Sequence, residues 1–482
     1  MQLIVIQRIL GILLVVFSFT MLPPAFIGLI YNDLSIIPFI KGFFLLLIIG
    51  VFLWFPARNR KRELRLREGF LVVVLFWVVL GVSGAAPLIF SNELQISLAD
   101  AVFESISGLT TTGATVITGL DDLPKSILFY RQQLQWLGGM GIIVLAVAIL
   151  PLLGIGGIQL YRAETPGPVK DSKLTPRIKG TAKLLWIIYV TFTLLCAVAY
   201  YLAGMDIFDA ICHSFSTIAI GGFSTHDASM GYFSNHLVEL VAVVFMLLSA
   251  ANFSLHFLAW RSLSLKSYQM DSEFKMYGLI MVVLTVITVS YLYFMNVYGF
   301  SESFFLAIFQ VVSIATTTGF TTANYSHWPT FLPILLIFAS FIGGCAGSTG
   351  GGMKVIRFLL LFKQGWREVT RLVHPNARIV IKLNKKRVER SVVQAVWGFF
   401  SIYIAIFVIF MLLLMATGMD QVSAFSAVAA TLNNLGPGLG DVAANFKEVN
   451  DFTKWLLCLA MLMGRLEIFT LLVVLTPMFW RK

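Results

Sequence analysis

The chain has 482 residues and a mean hydropathy of +0.87, with 58% hydrophobic and only 12% charged residues, which excludes an ordinary soluble domain. Its formal net charge is +11. Because most Lys and Arg residues lie between long apolar runs, this charge favours membrane anchoring and argues against nucleic acid as a partner. Apolar runs of the ~20 residues that cross a lipid bilayer recur along the chain, so we predict an all-α, multi-pass (polytopic) membrane protein.

The first two apolar runs form a predicted two-helix hairpin, residues 1–68. They cover residues 9–30, interrupted by Pro23-Pro24, and residues 36–55. The first run lacks a basic start and a small-residue cleavage site, so we interpret it as a retained span and not a signal peptide. Six basic residues follow within residues 58–67. Such a cluster is typical of the cytoplasmic side, which predicts a cytoplasmic N-terminus.

After the hairpin, one pattern occurs four times: a long span, a half-length apolar segment, a glycine-containing turn and a second long span. The predicted units are residues 69–165, 166–265, 266–375 and 376–482. The predicted first spans are residues 70–88, 184–202, 277–298 and 392–417. The half-length segments, or pore helices, are residues 98–109, 207–219, 302–315 and 422–432. The predicted second spans are residues 133–153, 237–260, 331–362 and 452–479.

The charges of the loops predict how these segments are oriented. Basic links join the units at residues 162–183, 261–275 and 363–390, and the chain ends in Arg481-Lys482. All of these fall on one side if each pore helix dips into the membrane and returns, which gives ten full spans, four re-entrant loops and two cytoplasmic termini. The opposite side carries more acidic residues, namely Asp121, Asp122, Asp206, Asp227, Asp420, Asp441 and Asp451.

The four turns have similar sequences. They are Thr110-Thr111-Thr112-Gly113, Ala219-Ile220-Gly221-Gly222, Thr316-Thr317-Thr318-Gly319 and Asn433-Asn434-Leu435-Gly436. Their last glycines are 109, 97 and 117 residues apart. A helix of ~12 residues rises ~18 Å, about half of the hydrocarbon core. Non-helical backbone at that depth is tolerated only inside protein or against water.

Four such turns can shelter one another only by converging. Their carbonyl groups could then form a ring that replaces the hydration shell of a cation, so we predict four pseudo-symmetric units around one pore. The simpler alternative is that each glycine only caps a helix. One copy would favour that alternative, whereas four matched copies favour the ring.

This arrangement resembles the Trk/Ktr/HKT superfamily of potassium transporters over essentially the whole chain. The N-terminal hairpin and a glycine-rich break in the third unit make it similar to the bacterial TrkH branch. The resemblance implies that carbonyl groups of the filter segments bind K+, the transported ion. The filter segments are Thr111, Thr112 and Gly113; Ile220, Gly221 and Gly222; Thr317, Thr318 and Gly319; and Asn434, Leu435 and Gly436.

The resemblance has further implications for selectivity and partners. In the superfamily a glycine in the first filter segment goes with potassium and a serine with sodium, so Gly113 favours potassium. A homodimer in the bacterial inner membrane is implied, with one pore in each protomer. A cytosolic ring of TrkA type, carrying nucleotide-binding RCK domains, is implied as the regulatory partner. The basic link at residues 363–390 is a candidate docking surface for that ring, and membrane anchoring is its alternative role.

The predicted second span of unit 3 is interrupted by six glycines within residues 343–352. Glycine costs up to ~1 kcal/mol in a helix, so this stretch cannot hold a stable one. We predict a flexible gating loop under the filter, and close helix packing is the alternative. Met353 stands where a phosphate loop requires lysine, so no nucleotide site is predicted on this chain. The predicted gate residues in the loop are Gly347, Ser348, Thr349, Gly350, Gly351 and Gly352.

Arg465 lies near the middle of the last predicted span, where a charge is costly and usually functional. TrkH-like proteins carry a basic residue in this span. Arg465 could repel cations as a barrier below the filter, or it could hold the glycine-rich loop by hydrogen bonds. The alternative is a local pair with Glu467, although an offset of two residues disfavours it.

Other polar residues give weaker signals. Glu104 in the first pore helix could add negative potential or satisfy donors near the filter. The six histidines show no metal-ligand or catalytic spacing, and we expect structural or solvated roles for them. The four cysteines lie far apart in apolar surroundings, and we expect them to be inert core thiols. No cluster of catalytic residue types stands out, so an enzyme is not predicted.

The sequence therefore predicts potassium uptake through a gated pore. The alternative is a potassium symporter, coupled to H+ or Na+, that uses alternating access. That mechanism needs inverted repeats, whereas the four predicted units dip into the membrane from the same side.

Overall fold

The computed structural model describes residues 3–33, 35–59, 66–148, 178–384, 386–466 and 468–481. Within these residues the chain is almost entirely helical, which confirms the predicted all-α polytopic class. The exception is one antiparallel pair of two-residue strands, β1 (Lys382–Leu383) and β2 (Lys386–Arg387), in the third basic link.

The N-terminal hairpin packs tightly along its length. Its helices are α1 (Leu3–Ser18), α2 (Leu22–Tyr31) and α3 (Ile36–Ala57). Pro23 and Pro24 lie in the first turn of α2, where a helix needs no amide donors, so they bend the chain without ending the span. The long arms meet at two glycines, where a Cβ on Gly11 would lie 2.8 Å from the Gly50 carbonyl oxygen. Small residues therefore allow the two backbones to approach closely.

The helices of the four units follow in chain order. Unit 1 contains α4 (Leu66–Ser83), α5 (Ala86–Phe90), α6 (Leu98–Leu109) and α7 (Lys125–Ala148). Unit 2 contains α8 (Ile178–Leu202), α9 (Ile207–Ala219), α10 (His236–Ser249) and α11 (Phe253–Ser262), and α12 (Lys266–Met270) follows in the link. Unit 3 contains α13 (Ser272–Phe294), α14 (Phe300–Ala315), α15 (Phe331–Ile342) and α16 (Val355–Val373). Unit 4 contains α17 (Arg390–Ala416), α18 (Gln421–Leu432), α19 (Asp451–Arg465), α20 (Phe469–Leu475) and α21 (Pro477–Trp480).

The pore helices α6, α9, α14 and α18 lie where the sequence predicts them. α6 and α9 cover the predicted ranges, and α14 and α18 begin two residues and one residue earlier. Side-chain caps fix three of the starts: Ser97 and Asp100 form a capping box on α6, and Asp206 and Asp420 accept amide hydrogen bonds on α9 and α18.

Every second span is broken just below its pore helix. α7 is kinked at Gly141 (φ 40°, ψ −125°), and the loop of residues 343–354 separates α15 from α16. The helix axes bend by 94° between α10 and α11 and by 115° between α19 and α20. The predicted second spans at residues 237–260 and 452–479 are therefore sharply bent helix pairs and not single straight helices. In the first case Asn252 caps a new helix by accepting the Ser254 amide at 2.8 Å.

Six helical segments are long and apolar enough to cross a membrane within the described residues. They are Leu3–Tyr31, Ile36–Ala57, Arg67–Phe90, Lys183–Leu202, Ser272–Phe294 and Arg390–Ala416. The two bent pairs, α10 with α11 and α19 with α20, would bring the total to eight. The other two of the ten predicted spans are α7, whose predicted end lies outside the described residues, and the interrupted pair α15–α16. The count of ten stays a prediction.

Hydrogen bonds bring the basic regions of the chain together in two pairs. Asn384 of the third link donates to Asp271 beside the second link at 2.9 Å. Arg67, in the basic cluster at residues 58–67, donates to the Arg481 carbonyl oxygen near the C-terminus at 2.5 Å. The first link, residues 162–183, lies almost entirely outside the described residues, as does the predicted boundary between units 1 and 2.

Candidate functional site

All four pore helices end in the same hydrogen-bonded cap. The first residue of each filter segment is left-handed, with φ of 55° at Thr111, 55° at Ile220, 69° at Thr317 and 54° at Asn434. The amide of that residue donates to the carbonyl three residues earlier, and the next amide donates to the carbonyl five residues earlier, at 2.8 to 2.9 Å for the latter. This pair of bonds is the Schellman motif.

The alternative that each glycine only caps a helix is therefore wrong. The capping position is occupied by Thr, Ile, Thr and Asn, and the glycine lies two residues further along the chain. The four glycines have φ values between 79° and 99°, a region that L-residues with side chains rarely adopt. Glycine is therefore favoured at these four positions by the backbone conformation, and the atoms around each glycine give a second reason.

The structure brings the four filter segments together in a closed ring. Each filter glycine lies against the carbonyl oxygen of the middle residue in the next segment, so closely that a Cβ would collide with it. A Cβ on Gly436 would lie 2.7 Å from the Thr112 oxygen, which closes the ring from unit 4 to unit 1. The other pairs are Gly113 with Gly221, Gly222 with Thr318 and Gly319 with Leu435. Glycine is thus required for the approach of neighbouring backbones.

The loops that follow the filter segments contact one another in the same cyclic order. Unit 1 joins unit 2 through the Leu120 amide and Asp227 (3.0 Å), and unit 2 joins unit 3 through the Gly231 amide and the Thr321 carbonyl (3.1 Å). Tyr325 of unit 3 donates to the Gly438 carbonyl at 3.1 Å. The Phe446 amide donates to the Thr115 carbonyl of unit 1 at 2.8 Å. This second ring of contacts supports the first.

Side chains behind the ring hold the segments in place. Hydroxyl pairs at 2.8 Å join Thr110 to Thr112 and Thr316 to Thr318, the same positions of units 1 and 3. Asn434 donates to the Thr112 hydroxyl at 2.9 Å, which ties unit 4 to unit 1. Gln135 of α7 donates to the Gly221 carbonyl at 2.6 Å, so this predicted ion ligand keeps only one lone pair for an ion.

Glu104 is part of a buried ion pair. Its carboxylate accepts from the Arg131 guanidinium at 2.8 Å, and the side chains of both residues are 1% exposed. It also accepts from the Thr115 hydroxyl and the Val116 amide, at 2.9 and 3.0 Å. Arg131 in turn donates to the Ser224 carbonyl of unit 2 at 3.1 Å. Of the two predicted roles of Glu104, the structure favours satisfying donors behind the filter.

The position of Glu104 is occupied differently in each unit. The residue nine positions before the filter glycine is Glu104, His213, Gln310 and Ala427 in units 1 to 4. His213 binds the Ser224 hydroxyl at 3.0 Å, whereas within the described residues the buried Gln310 side chain has no hydrogen-bond partner. The ring is therefore fourfold in its backbone and asymmetric in the side chains that support it.

Sequence reasoning missed Arg131 and Gln135. Both lie on α7, close to the start of a predicted apolar span, in the polar run Arg131-Gln132-Gln133 and just after it. Such a run is costly at membrane depth unless it is paired inside the protein. The energetic cost of this polar run is the sequence signal that could have identified Arg131 and Gln135 as paired residues near the filter.

His226 lies in the loop that follows the filter segment of unit 2, and it joins unit 2 to unit 1. Its ring nitrogens bind Asp121 of unit 1 at 2.5 Å and Asp209 of unit 2 at 3.1 Å, and it stacks on Tyr232 with ring centroids 3.5 Å apart. Partial burial opposes the charged imidazolium, but hydrogen bonds to the two carboxylates outweigh it and raise the pKa of His226. It has a structural role, as predicted for the histidines.

The glycine loop, which comprises residues 343–354, is hydrogen-bonded to the ends of three pore helices and the segments that follow them. The Thr349 hydroxyl donates to the Ile218 carbonyl at the end of α9 at 2.9 Å. The Gly351 amide donates to the Thr317 hydroxyl at 2.7 Å, and the Gly352 amide donates to the Asn433 carbonyl at 3.0 Å. The loop thus binds residues next to the filter segments of units 2 and 4 and a residue of the filter segment in unit 3.

Arg465 contacts the glycine loop. Its guanidinium donates to the Thr349 carbonyl at 3.2 Å and to the Gly138 carbonyl of α7 at 2.6 Å, and it lies over the Trp77 ring at 5.4 Å. Glu467, its predicted local partner, lies outside the described residues. The structure thus places Arg465, Thr349 and the ring within one contact network.

Comparisons with known proteins agree over the whole chain. Residues 36–482 match the family model TrkH, described as a cation transport protein. The Trk system potassium uptake protein TrkH of Vibrio parahaemolyticus is 61% identical and covers 100% of both chains, and that of Escherichia coli K12 is 58% identical and covers 99% of both. The crystal structure of the potassium transporter TrkH from Vibrio parahaemolyticus matches with a TM-score of 0.91 at 59% identity, covering 100% of both chains.

Proposed function

The chain belongs to the TrkH family of cation transport proteins, and from this premise we propose that it takes up potassium through a gated pore in the bacterial inner membrane. The single observation that carries the proposal is the closed ring of four filter segments. Backbone at that depth is tolerated only where it is buried or lines water. The names of the relatives, which are potassium uptake proteins, support potassium as the ion.

The filter segments are the proposed ion-binding elements. K+ would exchange its hydration shell for carbonyl oxygens of residues 111–113, 220–222, 317–319 and 434–436. The C-terminal ends of all four pore helices meet at the ring, and their partial negative charge would favour a cation there. The predicted preference for potassium over sodium follows from Gly113 and the family resemblance.

The glycine loop is the proposed gate. Its hydrogen bonds to residues of three units at the ends of their pore helices support a position in the ion path, from which it would move before an ion could pass. Its glycines allow the change of backbone angles that such movement requires. Arg465 would hold the loop through Thr349 and place a positive charge below the filter.

A conducting pore fits the geometry better than an alternating-access symporter. Alternating access usually relies on inverted repeats. Here the four pore helices all end at one ring, and the loops that follow them contact one another in a second ring, which supports entry from the same side. The pore is therefore our conclusion.

Two partners are proposed, a second copy of the chain and a cytosolic regulatory ring on the face opposite the filter loops. We propose a homodimer with both termini in the cytoplasm, and a TrkA-like ring with RCK domains that docks on the basic link at residues 363–390. Nucleotides would act through that ring, since no site for them is predicted on this chain.

A flux experiment on purified protein in lipid vesicles tests the ion selectivity. External Na+ should compete weakly with K+ uptake in the unmodified protein, and Gly113→Ser should weaken the K+ preference about tenfold, which corresponds to ~1.4 kcal/mol. Gly119→Ser is the matched control, because Gly119 also has a positive φ (74°) and a Cβ there meets nothing within 4 Å. Equal competition by Na+ in the unmodified protein would contradict the proposal.

A further inference from the structure

Glu273 binds both ends of the glycine loop. It lies in the first turn of α13 and is buried, at 7% exposure. One carboxylate oxygen, Oε1, accepts the Ala346 amide near the start of the loop at 2.7 Å and the Ile356 amide just after it at 3.1 Å. No sequence pattern singled out this residue.

The second of these bonds caps a helix from outside. Ile356 lies in the first turn of α16, whose amides have no acceptor within the helix. The residue at the capping position, Lys354, makes no side-chain capping bond. The carboxylate of Glu273 takes that place, where the helix dipole favours a negative charge.

Two backbone hydrogen bonds join the start and the end of the glycine loop next to Glu273. The Val355 amide donates to the Gly344 carbonyl at 3.1 Å, and the Met353 amide donates to the Phe341 carbonyl at 2.9 Å. Glu273 thus joins the start of the loop, the start of α16 and the first span of unit 3. A displacement of α16 would pull directly on these bonds.

We propose that Glu273 is a positioning residue that latches the glycine loop in its closed position. Opening releases at least one of its two amide bonds, so the carboxylate stabilises the closed state over the open one. This inference rests on the proposed function of the loop as a gate. It adds the point at which movement of helix α16 reaches that gate.

The test is K+ flux through partner-free protein in lipid vesicles. Glu273→Ala should raise basal flux about tenfold, because hydrogen bonds to a charged group are lost from the closed state only. Glu273→Gln keeps an acceptor oxygen without the charge and should raise flux less. The K+/Na+ preference should stay unchanged in both, since the filter is not touched. Glu239→Gln is the control, a buried carboxylate that binds His236 and no residue of the loop.

A double-mutant cycle separates this inference from the gate itself. Deletion of residues 347–352 should raise basal flux, and Glu273→Ala should add nothing in the deleted protein. If the deletion raises flux but neither Glu273 variant does, the latch is wrong and the gate stands. If the deletion leaves flux unchanged, the gate fails and the latch with it.

Two further outcomes would also overturn the latch. One is an equal effect of Glu273→Ala with and without the loop, since Glu273 would then act elsewhere. The other concerns folding: where the alanine variant is not monodisperse, Glu273→Gln decides alone, and a flux equal to that of the unmodified protein contradicts the proposal.

Discussion

The filter layer and the layer directly beneath it are built on opposite principles. In the filter layer, four segments of different sequence share one backbone cap and one glycine contact. In the layer below, the described residues show three kinds of break in the four second spans: a kink in unit 1, sharp bends in units 2 and 4, and the glycine loop in unit 3. A ring of equivalent carbonyls requires symmetry, whereas a gate requires one element that moves independently of the others.

The hydrogen bonds of the two layers differ in the same sense. Each cap bond of the filter layer joins residues three or five positions apart, so it does not depend on neighbouring units. The bonds of the glycine loop reach far along the chain, from Thr349 to Ile218 and from Gly351 to Thr317. Such long-range bonds are lost together when the loop moves. The cap of each pore helix is thus formed locally, whereas the glycine loop depends on residues far along the chain.

The largest effect that we predict tests the stability of the filter layer. Arg131→Leu leaves the buried Glu104 carboxylate without its cation and should destabilise the protein by ~3–5 kcal/mol. The thermal unfolding midpoint of the detergent-solubilised protein measures this. Arg58→Leu, an exposed arginine over the Phe55 ring, is the control and should change the midpoint little. Replacing Glu104 and Arg131 together by leucine should cost less than Arg131→Leu, and a larger loss would contradict the ion-pair account.

The next prediction tests whether the filter glycine serves close approach. Gly319→Ala combines a φ of 86° with a collision against the Leu435 carbonyl and should reduce K+ flux about a hundredfold. Gly418→Ala is the matched control: its φ is 99°, but a Cβ there meets nothing within 4 Å. Similar loss of flux in the two variants would mean that backbone strain, and not the contact between units, explains the glycine.

Sequence patterns predicted the filter layer well because its structure is local. Half-length apolar segments, each followed by a glycine-containing turn, predicted the pore helices to within two residues. The six glycines within residues 343–352 predicted the interruption of the second span of unit 3. Both signals depend on neighbours along the chain, which is the information that a sequence contains directly.

The layer below was predicted poorly because tertiary contacts decide it. The 94° bend between α10 and α11 lies in the short stretch Ala250-Ala251-Asn252, which contains no proline or glycine. The Ala250 carbonyl accepts the Cys345 amide at 2.8 Å and the Gly347 carbonyl accepts the Phe253 amide at 3.0 Å. The glycine loop of another unit therefore compensates for the helix bonds lost at the bend. Sequence patterns also did not identify Glu273 and Arg131, because their hydrogen-bond partners lie far along the chain.

The smallest predicted effect separates the two roles proposed for Arg465. Arg465→Gln should raise basal flux in the partner-free protein about tenfold, because it removes both the charge below the filter and the forked contact with Thr349 and Gly138. Arg465→Lys keeps the charge but cannot reproduce the fork. If Arg465→Lys conducts like the glutamine variant, holding the loop is the main role. If it conducts like the unmodified protein, the charge is the barrier. Arg58→Gln, outside the four units, controls for the loss of a positive charge, and unchanged flux in Arg465→Gln would contradict both roles.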